Sequence, residues 1–254
     1  MNKNSNTYIF IYASLMVVVV AVVLTMANLT LKPLQQKNVK NEKMTEILSS
    51  IGIEANAENA QELFDKYITE EIVINSKGDV VGVYKNGQQE SGTERAFDIN
   101  LKVELRKQNK TQDGHFPLFI ADNEGMRVYI VPVFGKGLWA PVWGNLAFKE
   151  DFNTVFGANF GHESETPGLG AEISEPKKEG KIVFSDQYDG KQIFDADGNF
   201  QSIICVKGGV ANQSKVAPEH GVDAISGGTL TSNGVTDMIN DCLINYVEYI
   251  KKNK

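Results

Sequence analysis

The chain is poor in the residues that build metal and redox centres: among 254 residues it has two cysteines and three histidines. Cys205 and Cys242 are far apart and neither belongs to a Cys-x-x-Cys pair, which argues against an iron–sulfur or zinc site made by this chain alone. Buried free thiols are the simpler reading, with a disulfide as the alternative. His115, His162 and His220 show no metal-ligand spacing. Basic character is also short: the formal charge is −7 and no block of Lys or Arg interrupts it. Nucleic-acid phosphate calls for a basic face, so nucleic acid is not an expected partner. No internal repeat or low-complexity tract is present.

The first abundant feature is apolar length. No charged residue occurs from Asn4 to Leu31, and the run from Tyr8 to Ala27 is almost wholly apolar. A helix of about 20 residues crosses the roughly 30 Å bilayer core. Tyr8 and Tyr12 suit an interfacial position. Signal-peptide cores are shorter, about 7–15 residues, and Thr25-Met26-Ala27 is a weak cleavage site, so an uncleaved single-pass anchor over residues 1–32 is expected. Lys3 flanks one end of it; Lys32, Lys37, Lys40 and Lys43 flank the other. By the positive-inside rule that bias favours a cytoplasmic domain, although large domains translocate despite such a bias.

Residues 33–70 read as a juxtamembrane helical segment. Met44, Ile47, Leu48 and Ile51 share one face, and Leu63, Phe64, Tyr67 and Ile68 form a second amphipathic pattern. Residues 71–254 read as one α+β domain built mainly on antiparallel sheet. Hairpins are expected around Ser76–Asp79 and Asp122–Gly125. Alternating Ile99, Leu101, Val103 and Leu105 predict a half-buried strand, and further short strands are expected at Lys181–Phe184, Gln192–Phe194 and Phe200–Val206. Val235, Met238, Ile239, Cys242, Leu243, Tyr246 and Ile250 keep helical spacing for four turns, and Lys251, Lys252 and Lys254 follow, where the helix dipole favours cations.

Immediately before that helix stands Asp223-Ala224-Ile225-Ser226-Gly227-Gly228-Thr229-Leu230-Thr231-Ser232-Asn233. Hydroxyls and glycines at a helix N-terminus make a phosphate site, because first-turn N–H groups are unpaired and glycine admits a ligand to the backbone. A Gly-rich turn capped by Ser232 or Asn233 has the same composition. A hydrolase elbow at Ser226 is excluded: it requires a later histidine, and the last one is His220. The stretch Glu165-Thr166-Pro167-Gly168-Leu169-Gly170 lacks periodicity and reads as a loop, either an ordinary turn or one that brings backbone to a ligand. Gly135–Gly144 holds both tryptophans, Trp139 and Trp143, which points to an aromatic contact surface or pocket wall, or to a core corner.

Together, the Asp-x-x-Ser-Gly-Gly-Thr run, the Glu165–Gly170 loop and Gly137-Leu138-Trp139 resemble the C-subunit family of the sodium-pumping NADH:quinone reductase (Na+-NQR), over essentially the whole chain. The resemblance implies covalent FMN. In that family the last Thr of Asp-x-x-Ser/Thr-Gly-Ala-Thr accepts FMN as a phosphoester, installed from FAD by an extracytoplasmic flavin transferase. Thr229 is the matching residue, and Gly228 departs from the usual Ala, a loss of one methyl where close backbone approach is needed. Carried over with it are Asp223, Ser226, Gly227, Gly228 and Thr231 around the phosphate, and Glu165, Thr166, Gly168, Leu169 and Trp139 around the flavin. The resemblance further implies an electron-carrying subunit of an oxidoreductase in a bacterial inner membrane, with its domain outside the cytoplasm and with the other subunits, membrane lipid and the transferase as partners. No acid or base residues are implied, because the redox chemistry belongs to the flavin. The alternatives are the G subunit of an Rnf-type complex, which shares the flavin motif, and a flavin-free tethered envelope module.

Overall fold

The computed structural model describes residues 5–111, 113–176, 182–213 and 215–253. Lys3, Lys181 and Lys254, used in the expectations above, lie outside them. The chain divides into two compact units after Lys43. The first is formed by most of helix α1 (Asn6–Ser49), which runs through Pro33 at the loss of one backbone hydrogen bond. Among the described residues it is the one helix long and apolar enough to cross a membrane. Its side chains from Ile9 to Leu31 are exposed.

The second unit, Met44–Lys254, is an α+β domain. Seven antiparallel strands stand in the order β3-β2-β1-β4-β5-β6-β7. They are β1 (Ile68–Asn75), β2 (Val80–Lys85), β3 (Gln88–Ser91), β4 (His115–Asn123), β5 (Met126–Lys136), β6 (Pro141–Phe148) and β7 (Val155–His162). Both expected hairpins form. The Glu124-Gly125 turn of β4–β5 takes positive φ at both residues, 56° and 87°, the type I′ geometry whose twist matches the strands. The central strands are covered on both faces, which is why they read as continuous apolar runs. Phe116, Leu118 and Ile120 enter one core, with Val131, Val133 and Leu146. Phe119, Val73, Ile130 and Ala147 enter the other.

One face is closed by the end of α1 and by α2 (Ala60–Tyr67) through Met44, Ile47, Leu48 and Phe64. The other face carries α4 (Thr229–Leu243), which buries Val235, Met238, Ile239, Cys242 and Leu243. The final helix is interrupted: its expected four turns tighten into a 3₁₀ turn at Ile244–Tyr246 before α5 (Val247–Asn253). Tyr246 and Ile250 remain in the core, and Tyr246 donates its hydroxyl to the Pro117 carbonyl at 2.7 Å.

Three strand expectations are corrected. The residues around Leu101–Leu105 form helix α3 (Leu101–Thr111), not a strand. Leu101 and Glu104 are buried and Leu105 half-buried, whereas Val103 is exposed, so the stripe is helical despite the alternation of Ile99, Leu101, Val103 and Leu105. The Lys, Glu, Leu, Arg and Gln content favours helix. Ile182 and Val183 are not strand, and Phe184 opens a 3₁₀ turn, Phe184–Tyr188, held by Asp186 accepting from the Val183 N–H. Of the two last expected strands only β8 (Ile204–Val206) forms, paired in parallel with β9 (Gly221–Asp223). Gln192 and Phe194 make isolated bridges to Thr154 and Phe200.

Candidate functional site

The site lies where α4 begins. β9 ends at Asp223, the chain turns through Ser226-Gly227-Gly228, and Thr229 is the first helical residue. Gly227 has φ +76°, and a Cβ there would stand 2.6 Å from Leu169 Cδ2. The turn is possible because a glycine with left-handed backbone lets the Leu169 side chain lie directly on it. Ser232 fastens the turn from inside the helix, donating its hydroxyl to the Gly228 carbonyl at 3.0 Å and accepting the Ile225 N–H at 3.1 Å.

Three segments frame a small cleft here: Thr229 to Thr231 with the two preceding glycines, the Glu165–Gly170 loop after β7, and Leu138 from the β5–β6 connection. Its volume is about 120 Å³, below the ~300–1,000 Å³ of pockets that enclose a small ligand. It suits a phosphate-sized group, with anything larger lying outside across exposed Leu138, Leu169 and Leu230.

Glu165 ties the three segments together. It is 5% exposed. One carboxylate oxygen accepts the Thr231 hydroxyl at 2.6 Å. The other accepts the backbone N–H groups of Trp139 at 3.0 Å and Ala140 at 3.4 Å. Burial pushes its pKa up, but the bonds from Thr231, Trp139 and Ala140 outweigh this and hold the carboxyl below its usual value. Gly170 is required beside it, since any Cβ there would collide with the Thr231 hydroxyl.

The predicted residues therefore separate. Thr229, Thr231, Gly227, Gly228, Glu165, Thr166 and Leu169 line the cleft. Gly168, an exposed residue with φ +74°, shapes the loop without lining it. Ser226 is exposed on the turn. Asp223 faces elsewhere: its carboxylate accepts the Val210 N–H at 2.7 Å. Trp139 contributes its backbone N–H to Glu165, but the residue is 70% exposed and lines a neighbouring groove. Trp143 parts from it, half-buried and donating to Glu46 at 2.8 Å. Leu138, Gly170 and Leu230 also line the cleft and were not singled out by sequence; Leu138 stood inside the Gly-Leu-Trp motif. Among the described residues no cluster of His, Cys, Asp and Glu could hold a metal.

Four hydroxyls stand between residues 226 and 232. Thr231 and Ser232 are buried and bonded, and Ser226 lies outside the cleft. Thr229 is half-buried, lines the cleft and, among the described residues, has no bonded partner. The first-turn N–H groups of α4 have no intrahelical acceptor, and the helix dipole adds partial positive charge. These residues fit a phosphate ester on Thr229.

Residues 137–244 match the family model of the FMN-binding domain. The C subunit of the Na(+)-translocating NADH-quinone reductase from Pseudomonas aeruginosa is 32% identical over 250 residues, 94% of this chain and 91% of its own length. Its counterpart from Vibrio alginolyticus is 30% identical over 221 residues, 85% and 82% of the two chains. Among solved structures, the counterpart from Parabacteroides distasonis superposes with a TM-score of 0.72 at 35% identity, covering 87% of this chain and 96% of that one.

Proposed function

Because this chain belongs to the C-subunit family of the Na+-translocating NADH-quinone reductase, we propose that it carries FMN covalently on Thr229 and relays electrons between partner subunits. The single observation that carries this reading is that Thr229 is the hydroxyl of its motif that both lines the cleft and is uncommitted. FMN, once bound, supplies one- and two-electron redox chemistry. The chain's own residues do the holding. First-turn N–H groups of α4 and the helix dipole offset the charge of a phosphodiester without a side-chain cation. Gly227 and Gly228 let Leu169 and Ile225 close tightly against the turn, which fixes the shape of the helix start. Thr231 and Glu165 fix the third residue of α4 against the 163–170 loop, so the acceptor sits on a rigid element. Leu138, Leu169 and Leu230 offer an apolar rim on which a ring system can rest.

Thr229→Ala should fold normally and lose all covalent flavin, read as disappearance of the fluorescent band in denaturing electrophoresis and of the FMN mass increment on the intact chain. Peptide mapping that places FMN on Thr231 or Ser232 of the wild type would sink the assignment. The same reading puts the domain outside the cytoplasm, where the transferase of this family acts, despite the lysines that follow the anchor. Protease added to intact spheroplasts should digest the domain; full protection would show that the charge bias sets the topology.

A further inference from the structure

Beside the cleft runs a much larger groove, about 1,110 Å³, between α3 on one side and β5 and α4 on the other. Its α3 wall, which also presents Leu105, Gln108 and Asn109, carries a stripe of cations. Lys102, Arg106 and Lys110 recur at i, i+4 and i+8 and all line the groove. Lys136, at the end of β5, adds a fourth. Among the described residues none of the four forms an ion pair. By contrast Lys107, on another face of α3, is paired with Glu104 at 2.7 Å. The Lys102 ammonium lies 5.7 Å from the Phe134 ring centre. Like charges four residues apart repel and weaken a helix. In a chain of net charge −7 such a stripe runs against the overall balance. The acidic residues lining the groove are Asp237 and Asp241 from α4, so four cations face two carboxylates and the groove keeps a positive excess.

The groove also presents Trp139, which is 70% exposed. An exposed tryptophan near an arginine is hot-spot composition, and the lysines around them supply charge that steers a partner of opposite sign. The groove is joined to the cleft through the chain and by hydrogen bonds: Leu138 lines the cleft and Trp139 the groove, and the N–H groups of Trp139 and Ala140 both end on Glu165.

We infer that the α3–β5–α4 groove is the docking surface for a carboxylate-rich segment of a partner subunit that exchanges electrons with this chain. The stripe receives the partner's carboxylates, and Trp139 anchors the contact at the end nearest the cleft. Electron transfer weakens steeply with separation, so a contact abutting the cleft is where an exchanging partner gains most. The docking itself rests on family membership; its role in electron exchange rests on the flavin reading above.

The test uses the intact complex. Zero-length carbodiimide coupling followed by mass spectrometry should join Lys102, Lys110 or Lys136 to Asp or Glu residues of another subunit. In the full-length chain, the double variant Arg106→Glu/Lys110→Glu should keep its fluorescent flavin band. At low salt, electron transfer into its flavin should fall about tenfold, with the deficit shrinking as salt rises, the behaviour of charges that steer docking. Coupling confined to Asp237 or Asp241 of the same chain, or found between two copies of it, would overturn the proposal. So would a double variant that matches the wild type at every salt concentration, or a groove whose charge matters only for sedimentation with phosphatidylglycerol vesicles. Couplings to another subunit made by a chain that lacks flavin would retain the docking surface and remove the flavin reading instead.

Discussion

Both faces of the seven-stranded sheet are covered by helices, yet they end differently. On the face under α1 and α2 the cover is closed: Met44, Ile47, Leu48 and Phe64 are almost fully buried, and Phe64 meets Phe97 and Phe119 edge-on at 5.5 and 6.1 Å. The charge on that side, Glu71, is neutralised by Arg95 and the Phe97 N–H. On the face under α4 the packing is as tight along the helix but loosens where the helix starts. There Leu138, Leu169 and Leu230 are 42%, 41% and 61% exposed. Single exposed apolar residues mean little, but these three stand together around one cleft, which is the rim the proposed function uses. Helix-on-sheet burial accounts for the stability of both faces; the proposed function draws on the glycines and hydroxyls at one helix end, on one face alone.

The largest effect that separates the faces is expected from Phe64→Ala. It opens a cavity in the closed face and should cost about 3–5 kcal/mol, seen as a large fall in the chemical denaturation midpoint. Chains that remain folded should load FMN on Thr229 as fully as the wild type. If loading dropped in proportion to stability, the two faces would not be independent and the comparison would fail.

Gly227→Val comes next and acts on the other face. Valine at φ +76° is strained by about 1–3 kcal/mol, and its side chain would displace Leu169 from the turn. Flavin loading should fall several-fold. Lys207→Gln should leave loading unchanged, since Lys207 is exposed and does not line the cleft. Collapse of loading in the lysine variant with survival in the glycine variant would replace the backbone account of phosphate binding by a side-chain clamp.

How much of this was legible in the sequence follows the range of the interactions. Local chemistry was readable: the apolar anchor, the two hairpins, the buried stripe of α4 and the Gly-Gly-Thr helix start. β3 was readable but missed. Its residues Gln88–Ser91 are all polar and exposed, but Asn86-Gly87 before it takes φ 52° and 78°, and Asn-Gly between strands is the strongest short hairpin signal. α3 was misread because the alternation of Ile99, Leu101, Val103 and Leu105 has the period of a strand, and only the run of helix formers up to Lys110 speaks for a helix. The Glu165 clamp was not legible as a clamp: its partners Thr231 and Trp139 lie 66 and 26 positions away, and no pattern in one chain pairs them. Nor was the divergence of the two tryptophans, one in the β5–β6 connection and one in β6, which differ in what packs over them.

The smallest expected effect concerns that clamp. Thr231→Val keeps the shape of the side chain and removes the 2.6 Å bond to Glu165. The carboxylate retains the two N–H donors of Trp139 and Ala140, so the loss should be about 1–2 kcal/mol rather than that of an orphaned buried charge. Its pH dependence identifies the cause. Glu165 has a folded-state pKa below the ordinary carboxylate value. The stability it contributes is therefore complete above the unfolded-state pKa of roughly 4.3 and is lost as pH falls through the folded-state value. The stability gap between wild type and Thr231→Val should be constant from neutral pH down to about 5 and should narrow below about 4, as protonation weakens in the wild type the bond that the variant already lacks. Denaturation midpoints measured across that range decide the matter. A gap that stayed constant into strong acid would mean that Thr231 acts by packing alone, and that the 163–170 loop is held to α4 by something other than the Glu165 charge.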